Sequence, residues 1–188
     1  MTTVTALLLI LAFFVGEGRL RQGEAARTLE AGADDHGTTR RIGMSFGASL
    51  IAVAVSPLLD ATGFGVLSEA VGWGGVVLML VGLAVRVWAA LTLGAWYTRT
   101  LRTSEAQRIV RSGPYRYVRH PGYAADILMW LGAGLAARSA LALAFIAVVI
   151  LSAYRARIAA EERMLVSAFG DDYGDWMRHS WRLVPFLY

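Results

Sequence analysis

The stretch AVGWGGVVLMLVGLAVRVWAALTL at residues 70–93 decides the fold, because its 24 residues carry a single charged side chain, Arg86. A helix that crosses a lipid bilayer needs about 20 mostly apolar residues. Four further apolar runs lie elsewhere in the chain, at residues 4–15, 42–59, 122–137 and 140–154. The sequence therefore predicts an all-α integral membrane bundle of about five transmembrane helices.

The composition agrees with a membrane protein and argues against several kinds of site. Of the 188 residues 56% are hydrophobic, and the mean hydropathy is +0.51. All 18 basic residues are arginines that lie mainly between the apolar runs, which is typical of membrane flanks rather than of a nucleic-acid surface. Cysteine is absent, and His36, His120 and His179 lie far apart. We therefore expect no metal and no nucleic-acid partner.

Three of the apolar runs, the first, fourth and fifth, are shorter than a full span. Each is therefore expected to recruit neighbours, such as residues 1–3 and 155–160. The first run has the length of a secretory signal, but the absence of a preceding basic residue and of a following A-x-A site favours a retained helix. Only Arg138 and Ser139 separate the fourth and fifth runs, which predicts a tight antiparallel hairpin.

The distribution of arginine predicts the orientation in the membrane. The connections at residues 18–41, 94–121 and 155–188 hold five, six and five arginines, whereas the other two connections together hold one. With five spans, the three arginine-rich segments fall on the same side, and the positive-inside rule makes that side cytoplasmic. We expect a multi-pass protein of the plasma (inner) membrane, with the N-terminus outside, the C-terminus inside and 18–41 as a cytosolic loop.

Two charged residues fall inside predicted spans. Arg86 in the third run and Asp126 in the fourth lie at similar depth from the cytoplasmic side. They could form an ion pair, or each could snorkel or face a wet cavity independently. In either case an ionisable group within the membrane is a candidate functional group.

The most informative motif is GPYRYVRHPGY at residues 113–123, which leads into the fourth run. Gly113-Pro114 is typical of a turn, and Pro121 suits the first turn of a helix. Arg119 and His120 would then lie at a helix N-terminus, where unpaired N–H groups and the helix dipole attract an anion. The alternative is an interfacial loop whose arginines only contact lipid headgroups.

The helical pattern of the fifth run continues beyond the membrane as a cytosolic C-terminal extension that ends near Gly170. Arg157 and Glu161 are four residues apart and share a helix face, as a surface salt bridge would require. Glu162 is rotated from Glu161 by about 100°, so the two carboxylates point in different directions. Both lie on the same side of the membrane as His120.

These motifs together resemble the isoprenylcysteine carboxyl methyltransferase family, part of a superfamily of integral membrane methyltransferases that includes phospholipid methyltransferases. The resemblance covers roughly residues 105–188. It rests on GPYxxxRHPxY, the hydrophobic hairpin, the Glu161-Glu162 pair, FGDDY at 169–173 and RLVP at 182–185. One position departs from the family pattern, since Ala125 stands where the family commonly has glycine.

The resemblance implies the cofactor S-adenosylmethionine, bound from the cytosol. Carried over position by position, it places cofactor contacts or the enclosing turn at Gly113, Tyr115, His120, Tyr123, Glu161 and Glu162. It also places Arg119 and Arg157 at the reacting centre, as catalytic residues. Methyl transfer to a carboxylate needs no general base, so orientation and charge placement by arginine would be sufficient.

The expected function is therefore methyl transfer to a lipophilic or prenylated acceptor among the membrane lipids, with the carboxylate of an isoprenylcysteine-like substrate favoured. A phospholipid amine is the alternative acceptor. A sterol-type reductase with a nicotinamide cofactor shares similar motifs but generally has more spans, and a membrane scaffold would leave the clustered polar residues unexplained. We expect one domain over 1–188, with three spans in 1–93 and the cofactor-binding part in 94–188.

Overall fold

The computed structural model describes residues 1–20, 33–61, 63–97 and 108–186. Within these ranges the fold is helical, as predicted, with only two isolated β-bridges. The α-helices are α1 Thr2–Leu20, α2 Thr38–Asp60, α3 Glu69–Leu93, α4 Pro121–Ala136, α5 Ala140–Phe169 and α6 Asp171–Arg178. Of the predicted cytosolic loop 18–41, residues 21–32 lie outside the described residues.

All five predicted apolar runs form helices. Four of them, α1, α2, α3 and α5, are long and apolar enough to cross a membrane. The expectation that short runs recruit neighbours is confirmed for α1 and α5, but it is wrong for α4, which has 16 residues. At 1.5 Å per residue α4 is only about 24 Å long, while the 30 residues of α5 extend over about 45 Å.

The two turns at one end of the bundle contact each other and fix the course of α4. Leu67 N donates to Arg138 O at 2.7 Å, and Ala140 N donates to Gly65 O at 2.8 Å. The α2–α3 connection therefore lies beside the α4–α5 hairpin. Because α4 ends at these turns, its N-terminus lies at the opposite end, next to the end of α3 and the extension of α5.

Close packing between α3 and α4 is the most extensive helix contact, and glycine makes it possible. A Cβ atom on Gly75 would lie 2.5 Å from Gly132 O, and one on Gly82 would lie 2.8 Å from Ala125 O. The two helices are therefore in close contact at Ala125, the position that departs from the family pattern. Gly82 on the facing helix accommodates the completely buried Ala125.

The outer surfaces of the long helices carry large apolar side chains, as a lipid-facing surface requires. Leu8, Leu58 and Val148 are each more than 60% exposed, although they lie on three different helices. Inside the bundle Trp130 is fully buried and its ring packs against that of Phe46, with the centroids 5.1 Å apart. Apolar side chains therefore form both the core of the bundle and its outer surface.

Two adjacent glycines of α3 test the packing against α4. Replacing Gly75 with alanine should destabilise the fold by about 1–3 kcal/mol, because the new methyl group meets backbone atoms that cannot rotate away. Gly74→Ala is the matched control, since a Cβ atom at Gly74 meets nothing within 4 Å. Thermal unfolding in detergent measures both variants, and equal midpoints would contradict the packing described here.

Candidate active site

The segment before α4 forms one wall of the site. A 3₁₀ helix spans Gly113–Arg116, and Gly113 has φ +54°, a conformation that favours glycine. A Cβ atom at Gly113 would lie 2.7 Å from Thr92 Oγ1, so the turn also needs the small residue for space. The turn directs Tyr115 into a cavity, and Pro121 then begins α4 as predicted.

The chain after α6 pairs with this same segment through its backbone. Arg119 N donates to Trp181 O at 2.7 Å, and Trp181 N donates to Tyr117 O at 2.9 Å. His120 N donates to Arg182 O at 3.1 Å. These bonds attach the C-terminal segment to the start of α4, so that both elements reach the extension of α5 together.

The carboxylate of Glu162 is contacted by three side chains from these two elements. Arg182 Nη2 lies 2.8 Å from Glu162 Oε2, and both Arg119 Nε and His120 Nε2 lie 3.2 Å from Oε1. Arg119 also donates to the backbone carbonyls of Met177 and Ser180. Glu162 is only 6% exposed, and its position explains how α4, α5 and the C-terminal segment are held together.

His120 lies between the two neighbouring glutamates. Its Nδ1 atom is 3.4 Å from Glu161 Oε2, while Nε2 faces Glu162. The predicted rotation between the two glutamates thus brings one carboxylate to each ring nitrogen. Burial of the imidazole lowers its pKa, but the two carboxylates outweigh burial, so the pKa of His120 lies above its ordinary value.

Tyr123 and Arg157 continue the polar wall toward the membrane. The rings of His120 and Tyr123 are stacked, with centroids 5.5 Å apart and an interplanar angle of 10°. Arg157 Nε donates to the Tyr123 hydroxyl at 3.1 Å, and Arg157 Nη1 donates to Asp35 Oδ1 at 2.7 Å. Arg157 is 5% exposed, and the carboxylate of Asp35 compensates its buried charge.

A cavity of about 430 Å³ connects these groups with the interior of the bundle. Six of the eight predicted site residues line it: Tyr115, Arg119, His120, Tyr123, Arg157 and Glu161. Gly113 and Glu162 are not among the lining residues. The cavity has a polar end near Glu161 and an apolar end between α1 and α2, whose lining side chains include Phe13, Phe14, Ile42 and Phe46.

A second polar cluster lines the cavity within the spans. Arg86 Nη1 lies 3.1 Å from Asp126 Oδ2, so the two charges that the sequence placed at similar depth form an ion pair. Arg86 also contacts Glu17 through two nitrogens, Nε at 2.9 Å and Nη2 at 3.2 Å. The hydroxyls of Tyr97 and Tyr154 donate to Glu17 and Asp126 respectively.

Three charged residues of these networks were not identified from the sequence as site residues: Glu17, Asp35 and Arg182. Glu17 follows directly after the first apolar run, and a carboxylate at that position could have been proposed as a partner for Arg86. Arg182 lies in the RLVP motif, whose role the pattern alone does not indicate. Asp35 is 122 residues from its partner Arg157, and no local pattern connects the two.

A bundle of apolar helices with a partly polar cavity near one end defines a multi-pass membrane protein with a small-molecule site. Among the described residues, no group of three histidine, aspartate or glutamate side chains is placed to hold a metal ion. The cavity is the candidate active site, because it brings together six of the eight predicted site residues.

Comparison with known proteins agrees with this class and supports a family. Residues 75–167 match the model of the isoprenylcysteine carboxyl methyltransferase (ICMT) family. A probable protein-S-isoprenylcysteine O-methyltransferase of Oryza sativa subsp. indica is 26% identical over 119 residues, which are 62% of each chain. The cobalt-zinc-cadmium resistance protein CzcN of Cupriavidus metallidurans is 34% identical over 128 residues, which are 68% of this chain and 54% of CzcN.

The fold is also similar to that of a solved structure, the eukaryotic intramembrane Ras methyltransferase ICMT. The TM-score is 0.60 at 24% identity, over 79% of this chain and 52% of the other. The family-model match and the related sequences support the isoprenylcysteine carboxyl methyltransferase superfamily that the motifs predicted, and the solved structure supports the fold. It spans only about half to three fifths of the length of these relatives.

The environment of His120 predicts a pH dependence of stability. Because the folded pKa is raised, the imidazolium contributes stability that is complete below its unfolded pKa, about 6.5, and is lost as the pH rises through the folded pKa. The difference in unfolding midpoint between the unmodified protein and His120→Gln should therefore shrink with rising pH. His179→Gln, at an exposed position, is the control. A difference that grows with pH would contradict the assigned charge state.

Proposed function

We propose that this protein is an S-adenosylmethionine-dependent membrane methyltransferase that acts on a lipophilic acceptor, with the carboxylate of an isoprenylcysteine-like compound as the favoured methyl acceptor. One observation carries the proposal. A single cavity connects the polar groups around His120 and Glu161 with apolar walls between α1 and α2. A polar cofactor and an apolar substrate could therefore meet inside one site.

The residues of the polar end fit the proposed cofactor. Glu161 Oε2 is buried and, among the described residues, makes an ion-pair contact with His120 but no hydrogen bond. Such an oxygen can accept from an ammonium or a ribose hydroxyl. At the start of α4, Pro121 has no N–H and the amides of Tyr123 and Ala124 donate to His120 O, so Gly122 N is the amide that could donate to a carboxylate of the cofactor. The aromatic rings of Tyr115 and Trp176 also line this end.

The roles of the predicted cofactor residues differ in this proposal. His120, Tyr123 and Glu161 hold the cofactor, while Gly113 and Tyr115 shape the turn that encloses it. Glu162 acts through His120, because its carboxylate is used by His120 and two arginines and does not line the cavity. When bound, the cofactor supplies an electrophilic methyl group on a sulfonium.

The protein's own residues then orient the acceptor and exclude water. An acceptor carboxylate is already anionic at neutral pH, so no side chain has to remove a proton. Between the two predicted catalytic arginines, the contacts favour Arg157 for orienting the acceptor. Arg119 is committed to Glu162 and to carbonyls of the C-terminal segment, and it closes the site. The apolar chain of the acceptor would lie against Phe13 and Phe46.

Cofactor binding provides the direct test. S-Adenosylmethionine should bind the detergent-solubilised protein saturably, and labelled methyl should pass to a prenylated thiol acid. Glu161→Gln should weaken binding about tenfold to a hundredfold, the value of a charge-assisted hydrogen bond. Asp171→Asn, an exposed carboxylate at the start of α6, is the control and should bind normally. Binding of a reduced nicotinamide cofactor in place of S-adenosylmethionine would refute the proposal.

In the proposed orientation the protein lies in the plasma (inner) membrane with its N-terminus outside. The polar end of the cavity then faces the cytosol. This orientation rests on the 16 arginines in the three connections assigned to that side. Reporter fusions at residue 188 and within 18–41 should therefore read as cytoplasmic, while a fusion near residue 62 should read as external. An external signal from the C-terminus would reverse the assignment.

A further inference from the structure

Asp35 belongs to a turn that precedes α2. It ends a 3₁₀ helix, Ala33–Asp35, and its side chain is 1% exposed. Its carboxylate accepts hydrogen bonds from Thr39 N at 3.1 Å, Thr39 Oγ1 at 2.6 Å and Thr38 Oγ1 at 3.2 Å. Because these donors belong to the first turn of α2, the orientation of the carboxylate is fixed by the helix.

The same three residues hold one end of the Arg157 guanidinium. Arg157 Nη1 lies 2.7 Å from Asp35 Oδ1, 3.0 Å from Thr38 Oγ1 and 2.9 Å from Thr39 Oγ1. The Nε atom is held separately by Tyr123. Two nitrogens of the guanidinium are thus anchored by different helices, so the plane of the group is fixed.

Asp35 itself does not line the cavity, whereas Arg157 does. Burial raises the pKa of Asp35, but hydrogen bonds from Thr39 and the charge of Arg157 outweigh burial and hold this pKa below its ordinary value. The carboxylate is therefore ionised at neutral pH. Together with Glu161 it compensates the buried charge of Arg157, and its contact with Nη1 fixes the direction of that end of the guanidinium.

We propose that Asp35 is a positioning residue for methyl transfer, which holds Arg157 in the orientation that receives an acidic acceptor. This inference rests on the proposed function. It extends the reacting site to a segment outside residues 75–167, which match the family model. A carboxylate that only fastened the turn to α5 would affect stability, whereas a positioning carboxylate affects turnover through Arg157.

Asp35→Asn tests the inference, with Asp34→Asn as the matched control, because Asp34 is its exposed neighbour. With a prenylated thiol acid as acceptor, Asp35→Asn should lower kcat about tenfold to a hundredfold. The Kd for S-adenosylhomocysteine should change less than about twofold, since Asp35 does not reach the polar end of the cavity. Asp34→Asn should match the unmodified protein in both measurements.

A double-mutant cycle separates positioning from an independent effect. In an Arg157→Ala background, Asp35→Asn should cause no further loss of kcat. The same fractional loss in both backgrounds would overturn the inference, and so would an unchanged kcat with a lowered unfolding midpoint. If Asp35→Asn folds poorly, Thr38→Val is the alternative variant. It removes one contact to Asp35 and one to Arg157, so it should lower kcat by a smaller factor.

The two proposals fail in different ways. A protein that binds the cofactor but leaves every lipophilic acid unmethylated contradicts the proposed function. A protein that methylates the acid at a normal rate with asparagine substituted for Asp35 contradicts only the positioning role.

Discussion

The end of the bundle that holds the polar part of the cavity depends on one buried carboxylate, that of Glu162. Burying an ion is costly unless its charge and hydrogen-bonding capacity are fully used. Here Arg119 and His120 reach it from the start of α4, and Arg182 reaches it from the C-terminal segment. Three chain segments therefore have to assemble before the carboxylate is compensated. The same contact sets the orientation of the His120 ring. Its Nε2 atom faces Glu162, and its Nδ1 atom therefore faces Glu161, which lines the cavity.

The same constraint operates within the spans, where Arg86 joins α1, α3 and α4. Its guanidinium lies between Glu17 and Asp126, and Gly122 O accepts from Nη1 at 3.1 Å. In an apolar environment each of these groups would be strongly destabilising alone. Their pairing specifies both the depth and the rotation of three helices, which apolar side chains facing lipid could not do. The close contact between α3 and α4 adds van der Waals packing to these ion pairs.

The sequence predicted those parts of the structure that depend on residues close together in the chain. Apolar runs and turn residues are local, so the five helices, the α4–α5 hairpin and the start of α4 at Pro121 followed directly. The short length of α4 did not, because the apolar run continues to Ala137 while the helix itself has only 16 residues. The motifs around His120 and Glu161 identified six of the residues that line the cavity. Partners far apart in the chain, such as Asp35 with Arg157, are created by helix packing and leave no local pattern.

The extension of α5 shows why a single continuous helix suits a site at the membrane surface. Tyr154, Arg157 and Glu161 line the cavity at spacings of three and four residues, so they lie along one face of the helix. At 1.5 Å per residue the face rises about 10 Å from Tyr154 to Glu161, which spans the distance from intramembrane cluster to polar end. The next residue, Glu162, is turned by about 100° and faces the C-terminal segment instead. One helix thus fixes the relative depth of the apolar and polar ends of the cavity, while its adjacent face carries the contact with the C-terminal segment.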